Sequence, residues 1–292
     1  MRVLIVGAGG LLGGNVTSVA LDRGKTVVAA HHSEDPKFDC PSHQIDITSA
    51  TEVDDLVDEI APDAIVNCAA MTDVDRCETD PEQAYAVNAD GAKHVALAAD
   101  SVDAALVHTS TDYVFSGEEK VPYSETVDPA PKQVYGESKL AGERRVREIH
   151  SDPLIVRLSF VYGRSLPDGT ISGFPSWVLE RARKGDEIPL FTDQRVSPSY
   201  AKATVKSLLD LLEGGHGGTF NVSSRSCVTP YEFGELIVEE AGFEDATLSE
   251  SSMDDIDRDA ERPRYTCLDT TAIEESLDRP QSTLEKDLAD LL

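Results

Sequence analysis

Tyr135 and Lys139 stand four residues apart, a spacing that stacks a phenol and an ammonium on one face of a helix. Two such groups can share one bound carbonyl. A free phenol titrates near pH 10, so a tyrosine working near neutrality needs about 4 kcal/mol of preferential stabilisation of its anion. Lys139 and a nicotinamide cation carry the right sign for that. Tyr135 would then protonate a ketone oxygen as hydride reaches the carbon, a step in which a positioned acid contributes about 10² to 10⁴ in rate. His108-Thr109-Ser110-Thr111-Asp112-Tyr113 adds a second group, because Thr111 or Ser110 can hydrogen-bond the same oxygen. Either pattern alone is common, one on exposed helices and the other at strand ends. Together, in this order, they point to carbonyl reduction.

Such groups need a scaffold that brings a strand end and a helix to one cofactor. Strand-length apolar runs recur at 3–6, 26–30, 44–47, 64–69, 104–108, 154–158 and 219–222. Helical stretches separate them at 11–23, 49–60, 81–99, 134–149 and 201–213. This alternation predicts an α/β fold, a doubly wound parallel sheet of Rossmann type. From Val161 the pattern loosens through Gly163, Pro167, Gly169, Gly173, Pro175, Pro189 and Pro198, and an amphipathic helix at 231–241 follows an interval of return. The expected division is a dinucleotide-binding domain over 1–160, rejoined by 201–223. A smaller discontinuous substrate-binding lobe takes 161–200 and 224–292.

Gly7-Ala8-Gly9-Gly10-Leu11-Leu12-Gly13 follows the first strand and opens the first helix, the place where backbone N–H groups cradle a pyrophosphate. Its glycines fall at Gly7, Gly10 and Gly13, with Leu12 in the last place of the usual six-residue fingerprint. The second strand ends in His31-His32-Ser33, which reads as a solvated strand end and leaves NADH and NADPH both open. Asp46 could reach the adenine amino group with Ile47 against the ring, or simply serve helix entry.

With 54 acidic against 26 basic side chains the chain carries a net charge of −28, which disfavours nucleic acid and anionic membranes by Coulomb repulsion. Carboxylates crowd most densely from Ser252 to Glu261, and so large an excess suits strong brine, where salt screens self-repulsion. A halophilic cytoplasmic enzyme is expected, since glycines interrupt the apolar amino terminus before any export signal forms. The five cysteines, Cys40, Cys68, Cys77, Cys227 and Cys267, show no metal-ligand spacing and are expected as free thiols, with no metal site.

The glycine loop, the strand-end hydroxyls and the Tyr135–Lys139 pair together resemble the extended short-chain dehydrogenases/reductases, and within them the dTDP-4-dehydrorhamnose reductases. The matching stretches are Asn67 to Asp75, Ser110 to Phe115, Val134 to Glu143, Asp193-Gln194 with Ser197-Pro198, and Arg262-Pro263 with Leu268-Asp269, spread over nearly the whole chain. The resemblance implies Thr111, Tyr135 and Lys139 as a catalytic triad that reduces the 4-keto group of a nucleotide-linked deoxysugar with NADH or NADPH. It implies cofactor contacts from Gly7, Gly10, Leu11, Leu12, Asp46, Ile47, Ala69 and Ala70. Gly13 and Ser110 join that set. Substrate contacts are implied for Val74, Tyr113 and Phe160. Related nucleotide-sugar dehydratases carry Thr-Asp-Glu where this chain has Thr111-Asp112-Tyr113, and without that glutamate reduction is favoured over elimination. Phe160 stands in place of a usual tryptophan, Arg195-Val196 replaces a small-residue stretch, and Asn15 replaces the glutamate of metal-binding relatives. Arg183, Lys184, Arg195, Arg262 or Arg264 should line the entrance for the anionic substrate. A homodimer is compatible with the resemblance. Two further readings are a nucleotide-sugar epimerase and a non-catalytic regulatory subunit like the beta subunit of methionine adenosyltransferase.

Overall fold

A computed structural model describes residues 1–292. Its first half lays down β1 (Arg2–Val6), α1 (Leu11–Asp22), β2 (Thr26–His31), β3 (Ser42–Gln44), α2 (Ala50–Ile60) and β4 (Ala64–Asn67). There follow α3 (Val74–Thr79), α4 (Pro81–Tyr85), a π-helical turn (Ala86–Gly91), α5 (Ala92–Ser101), β5 (Ala105–Thr111), α6 (Val134–Ile149) and β6 (Leu154–Leu158). The second half contains β7 (Val161–Ser165), β8 (Thr170–Ser172), α7 (Phe174–Lys184), β9 (Ile188–Phe191), β10 (Ser199–Tyr200), α8 (Ala201–Glu213) and β11 (Gly218–Asn221). It ends with α9 (Pro230–Glu240), β12 (Leu248–Ser251), α10 (Thr271–Leu277) and α11 (Leu284–Leu291).

Seven strands form one parallel sheet in the order β11-β6-β5-β4-β1-β2-β3. Strand side chains alternate between faces, so each strand feeds two cores. Val3, Ile5, Val27 and Ala29 pack with α1 and α8 on one face, while Leu4, Val6, Val28 and Ala30 pack with α2, α5 and α6 on the other. Burial on both faces explains why these strands read as continuous apolar runs. The chain leaves β1 toward β2 and β3, then returns to β4 on β1's other side. Loops at the carboxyl ends of β1 and β4 therefore diverge and open a crevice, the usual ligand position in such sheets.

A third core joins Tyr162, Tyr200 and Phe233 to residues of α7, β9, α9 and α11. Helix α10 departs from the expected run 224–292, because Ile273 packs into the sheet's core with α8. The interval after Val161 also holds α7, hidden in the sequence by Gly173 and Pro175; proline in the first helical turn lacks only an N–H that would go unbonded there.

The expectation of five free thiols is corrected by a disulfide between Cys227 and Cys267, whose Cα atoms lie 5.5 Å apart. Cys40, Cys68 and Cys77 remain free. Backbone bonds bring the pair together: Thr266 N donates to the Arg195 carbonyl at 2.8 Å, and Val196 N to the Val228 carbonyl at 2.9 Å. The segment around Arg195 thus lies between the two cysteines' strands. No helix is long and apolar enough to cross a membrane.

Candidate active site

Gly7 adopts φ +85°, and a Cβ there would lie 2.7 Å from the Ala69 backbone nitrogen. A Cβ on Gly13 would overlap the Gly7 carbonyl. Glycine at these two places lets β1, β4 and α1 approach closer than any side chain permits. The first bond into α1 runs from Gly14 N to the Gly10 carbonyl at 2.8 Å. The N–H groups of Leu11, Leu12 and Gly13 precede it and remain available to an anion at the positive end of the helix. Leu12 meanwhile turns its side chain toward the sheet's core, which leaves only its backbone for the expected cofactor contact.

These groups border a cleft of about 680 Å³ lined by Gly7, Gly10, Asp46, Ile47, Ala69 and Ala70, six of the expected cofactor residues. Asp46 stands just before α2 and also lines the cleft. Its Oδ1 accepts from Thr48 N at 2.9 Å and Thr48 Oγ1 at 2.8 Å, bonds that hold its carboxyl below the usual range. Ile47 sits where a Cβ on Gly91 would touch it, so Gly91 makes room for the wall. His31 is buried rather than solvated, with Nδ1 unpartnered, whereas His32 is exposed. Arg76 is the single Lys or Arg in the cleft lining, and no carboxylate lies within ion-pair distance of it. It had no signal beyond being one base in an acidic stretch.

At the far end of β5, strand alternation separates the hydroxyls. Thr111 Oγ1 lies between Asp112 Oδ1, at 3.0 Å, and the phenol of Tyr135, and it accepts from Tyr113 N at 3.2 Å. Ser110 points the other way, into a buried cluster with Glu143, and is not in the cleft lining. Asp112 is buried with its other oxygen 2.6 Å from Ser159 Oγ, and burial pushes its carboxyl up to about 6. Tyr135 lies in the first turn of α6, half-buried, with its ring edge-on to Tyr113 at 5.9 Å. Burial raises the Tyr135 phenol above its ordinary value, against the Thr111 hydrogen bond. The protein alone therefore keeps the Tyr135 proton in place at neutral pH, the condition of an acid waiting to donate.

One turn later Lys139 is 2% exposed, and its Nζ donates to the Thr109 carbonyl at 2.7 Å rather than to the phenol. Burial lowers it to about 8, with Glu143 and Cys68 pulling the other way. Cys68 also lines the cleft, which places the ammonium at the cleft's inner end. Glu143 and Arg147 continue the same helical face. Glu143 takes a bidentate bond from Arg157 on β6, Nε at 2.9 Å and Nη2 at 2.8 Å, and another from Arg147 at 2.9 Å. This buried pair anchors α6 to the sheet beneath Lys139.

Asn88, absent from the expected site, connects the two halves of the machinery. Its Nδ2 donates to Ser138 Oγ and the Met71 carbonyl, both at 3.0 Å, while Oδ1 accepts from Met71 N at 2.8 Å. It sits in the π-helical turn that interrupts what the sequence presents as one helix over 81–99. Such turns recur at functional sites because the extra residue re-aims a side chain.

Val74 begins α3, partly exposed, beside Asp73 as N-cap. Asp75 holds Arg262 Nη2 at 2.7 Å. Arg262, Arg258 and Gln194 all bear on the Tyr113 phenol, which burial nevertheless pushes up to about 12. Arg258 is a second group that the sequence reading missed inside the acidic run. Arg262 and Arg264 line a neighbouring cavity of about 870 Å³ with Arg258 and Lys132. Arg183, Lys184 and Arg195 do not line it; Lys184 bonds Glu180 at 2.6 Å and Arg195 lies 3.7 Å from Glu232. Phe160, at φ +47°, packs against Phe174 at 5.5 Å and Phe233 at 6.3 Å in the third core. Asn15 ties α1 to β7, donating to the Leu11 carbonyl at 2.8 Å and the Arg164 carbonyl at 2.9 Å.

A parallel sheet with an anion-cradling glycine turn, and a tyrosine–lysine pair at the end of its fifth strand, defines a nicotinamide-dependent oxidoreductase of the short-chain type. Comparison narrows the class. The family model for the RmlD substrate binding domain matches residues 1–292. A probable low-salt glycan biosynthesis reductase of Haloferax volcanii is 49% identical over 292 residues, covering 100% of this chain and 97% of that protein. The dTDP-4-dehydrorhamnose reductase of Escherichia coli is 33% identical over 82% of this chain and 78% of its own length. The dTDP-4-dehydrorhamnose reductase structure from Bacillus anthracis, in complex with NADP, superposes with a TM-score of 0.87 at 31% identity, covering 99% of this chain and 98% of that one. The chain belongs to the RmlD family of sugar-nucleotide reductases and is an NAD(P)H-dependent oxidoreductase.

Proposed function

We propose that the chain reduces the 4-keto group of a nucleotide-linked deoxysugar, with dTDP-4-dehydro-L-rhamnose as substrate and dTDP-L-rhamnose as product. The observation that carries this reading is the convergence of Thr111, at the carboxyl end of β5, with Tyr135 in the first turn of α6, one helical turn from the buried Lys139 that donates to the Thr109 carbonyl. In the cleft the N–H groups of Leu11, Leu12 and Gly13 receive the dinucleotide pyrophosphate, while Asp46 and Ile47 border the adenine. Reduced nicotinamide, when bound, supplies the hydride. Tyr135 gives its proton to the sugar C4 oxygen and Thr111 hydrogen-bonds the same oxygen. Lys139, still mostly charged at pH 7, stabilises the phenolate left behind.

Tyr113 supports reduction over elimination, because it offers no carboxylate to take a proton from the sugar. Asp112 cannot replace that base, since its oxygens are bonded to Thr111 and Ser159. Likeness to the Haloferax volcanii protein supports a product destined for glycans. The acidic surface supports work in a salt-rich cytoplasm, and the lobe formed around Tyr162 and Phe233 is the proposed substrate-holding part. Purified protein is mixed with NADPH and dTDP-4-dehydrorhamnose, and absorbance at the nicotinamide band is followed with product analysis. One cofactor oxidised per sugar reduced is the expected result. Isomer formation without net oxidation assigns an epimerase, and no turnover with any 4-keto sugar nucleotide defeats the reading.

A further inference from the structure

A third cavity, of about 630 Å³, lies among residues that take no part in the cofactor cleft. Its walls come from the end of α1, the first turns of α8, the segment after β11, and the turn joining α10 to α11. Six of the chain's 26 basic side chains line it, namely Arg23, Lys202, Lys206, Arg225, Arg279 and Lys286, against three carboxylates. On a protein of net charge −28, such a reversal of sign within one groove is a strong local departure.

Four of the six cations are engaged in ion pairs, Arg23 with Glu213 at 3.1 Å as well as with Asp210, and two are not. Asp210 is shared by Arg23 and Arg279, at 2.9 Å and 2.6 Å. Lys202 pairs with Asp290 at 2.7 Å, and Arg225 leans on Glu274 at 3.3 Å. Lys206 and Lys286 have no carboxylate partner and are exposed. The floor is fixed by hydrogen bonds, with Arg279 Nη2 donating to Ser207 Oγ at 3.2 Å and Ser207 Oγ donating to Gln281 Oε1 at 3.0 Å. Gln281 is 6% exposed, and its Nε2 has no partner. An unpaired amide N–H2 in a buried position is costly unless an acceptor completes it. Helix α11 begins at the same place, and its N-cap Thr283 makes no side-chain cap bond. Leu284 N donates to Ser226 Oγ at 3.0 Å, and the N–H groups of Glu285 and Lys286 are left for an acceptor.

We propose that this groove binds a compact multivalent oxyanion, a pyrophosphate group either free or carried by a nucleotide, at a site separate from the catalytic cleft. Two exposed lysines would meet it, Lys206 on α8 and Lys286 on α11, beside the guanidinium of Arg279 held by Asp210 and Ser207. Anionic chemistry is favoured because only an anion offers acceptors to every unsatisfied donor here at once.

The test is calorimetric titration of inorganic pyrophosphate, and in parallel ADP, into enzyme saturated with NADP at fixed ionic strength. Saturation occupies the glycine loop. The expected result is one equivalent bound, with affinity weakened by about tenfold in the double variant Lys206→Ala/Lys286→Ala. NADP affinity and turnover of that variant remain those of the parent. Equal affinities for both probes assign the pyrophosphate group alone, and tighter ADP assigns a nucleotide. Absence of binding, binding that survives in the double variant, or a heat reproduced by chloride at equal ionic strength would each overturn the proposal.

Discussion

Replacing Lys139 with methionine should stabilise the cofactor-free protein while abolishing most of its turnover. The ammonium is 2% exposed, and burial lowers it from an ordinary 10.5 to about 8. That fall corresponds to about 3 kcal/mol of folding free energy lost whenever the group is charged. A lysine whose folded pKa is depressed binds fewer protons in the folded state than in the unfolded one between pH 8 and 10.5. Its penalty is therefore complete below about pH 8 and fades as pH rises toward 10.5. Methionine has nearly the same length and no charge, but it gives up the 2.7 Å bond to the Thr109 carbonyl, a loss of about 1 to 2 kcal/mol. The variant should gain about 1 to 2 kcal/mol at pH 7, and the gain should vanish and invert near pH 10. Urea midpoints of both proteins, at fixed potassium chloride and several pH values, measure this difference. Taking the difference cancels buried tyrosines, whose raised pKa values act on stability in the opposite direction. A variant less stable at pH 7, by a margin that does not change up to pH 10, would refute the reasoning.

Tyr135→Phe should retain NADPH binding and lose about 10² to 10⁴ in kcat; full turnover, measured alongside cofactor affinity, would remove Tyr135 as the acid. Asn88→Ala strips the Met71 backbone and Ser138 of three bonds, a cost of about 1 to 3 kcal/mol, and should raise the KM for NADPH because Met71 lines the cleft. An unchanged KM and melting temperature would show that the clamp does nothing. Breaking the Cys227–Cys267 bond, which spans 40 residues, should cost up to about 4 kcal/mol on the chain-entropy account. Melting with and without reductant tests it, and five titratable thiols in unreduced, denatured protein would deny the bond. Melting temperature should rise markedly from dilute buffer to molar potassium chloride, and equal values would contradict salt dependence.

The parts of the site legible in sequence are those whose chemistry constrains spacing. Gly7 and Gly13 announce themselves because a side chain there would strike backbone, and Tyr135 with Lys139 because one helical turn separates them. Parallel strands were readable because burial on both faces leaves unbroken apolar runs. Other features depend on three-dimensional neighbours. Asn88 acts only because a π-helical turn re-aims it, and nothing in Val87-Asn88-Ala89 distinguishes that turn from regular helix. Cys227 and Cys267 meet through backbone ladders around Arg195, far from either in sequence. Ser110 and Thr111 look interchangeable as letters, yet adjacent strand positions face opposite sides, so one belongs to the Glu143 cluster and the other to the phenol.

The acidic surface poses a problem for an enzyme whose cofactor and substrate are both polyanions, and the placement of the cations resolves it. At about 1 M salt the screening length is about 3 Å, so net repulsion is lost within a water layer of the surface. Contacts at hydrogen-bond distance are screened far less, particularly where burial excludes ions. The few basic groups accordingly matter by position rather than number. Lys139 on α6 and Arg157 on the strand beneath it are buried, Arg76 stands in the cleft, and Arg258 and Arg262 bear on Tyr113. Brine thus separates two demands that conflict in dilute buffer. Carboxylates would keep the outside hydrated while a close-range cation such as Arg76 would meet phosphate in the cleft. Raising salt should then lower the KM for the anionic substrate over the range in which the protein stays folded, the reverse of what a basic nucleotide-binding surface would show.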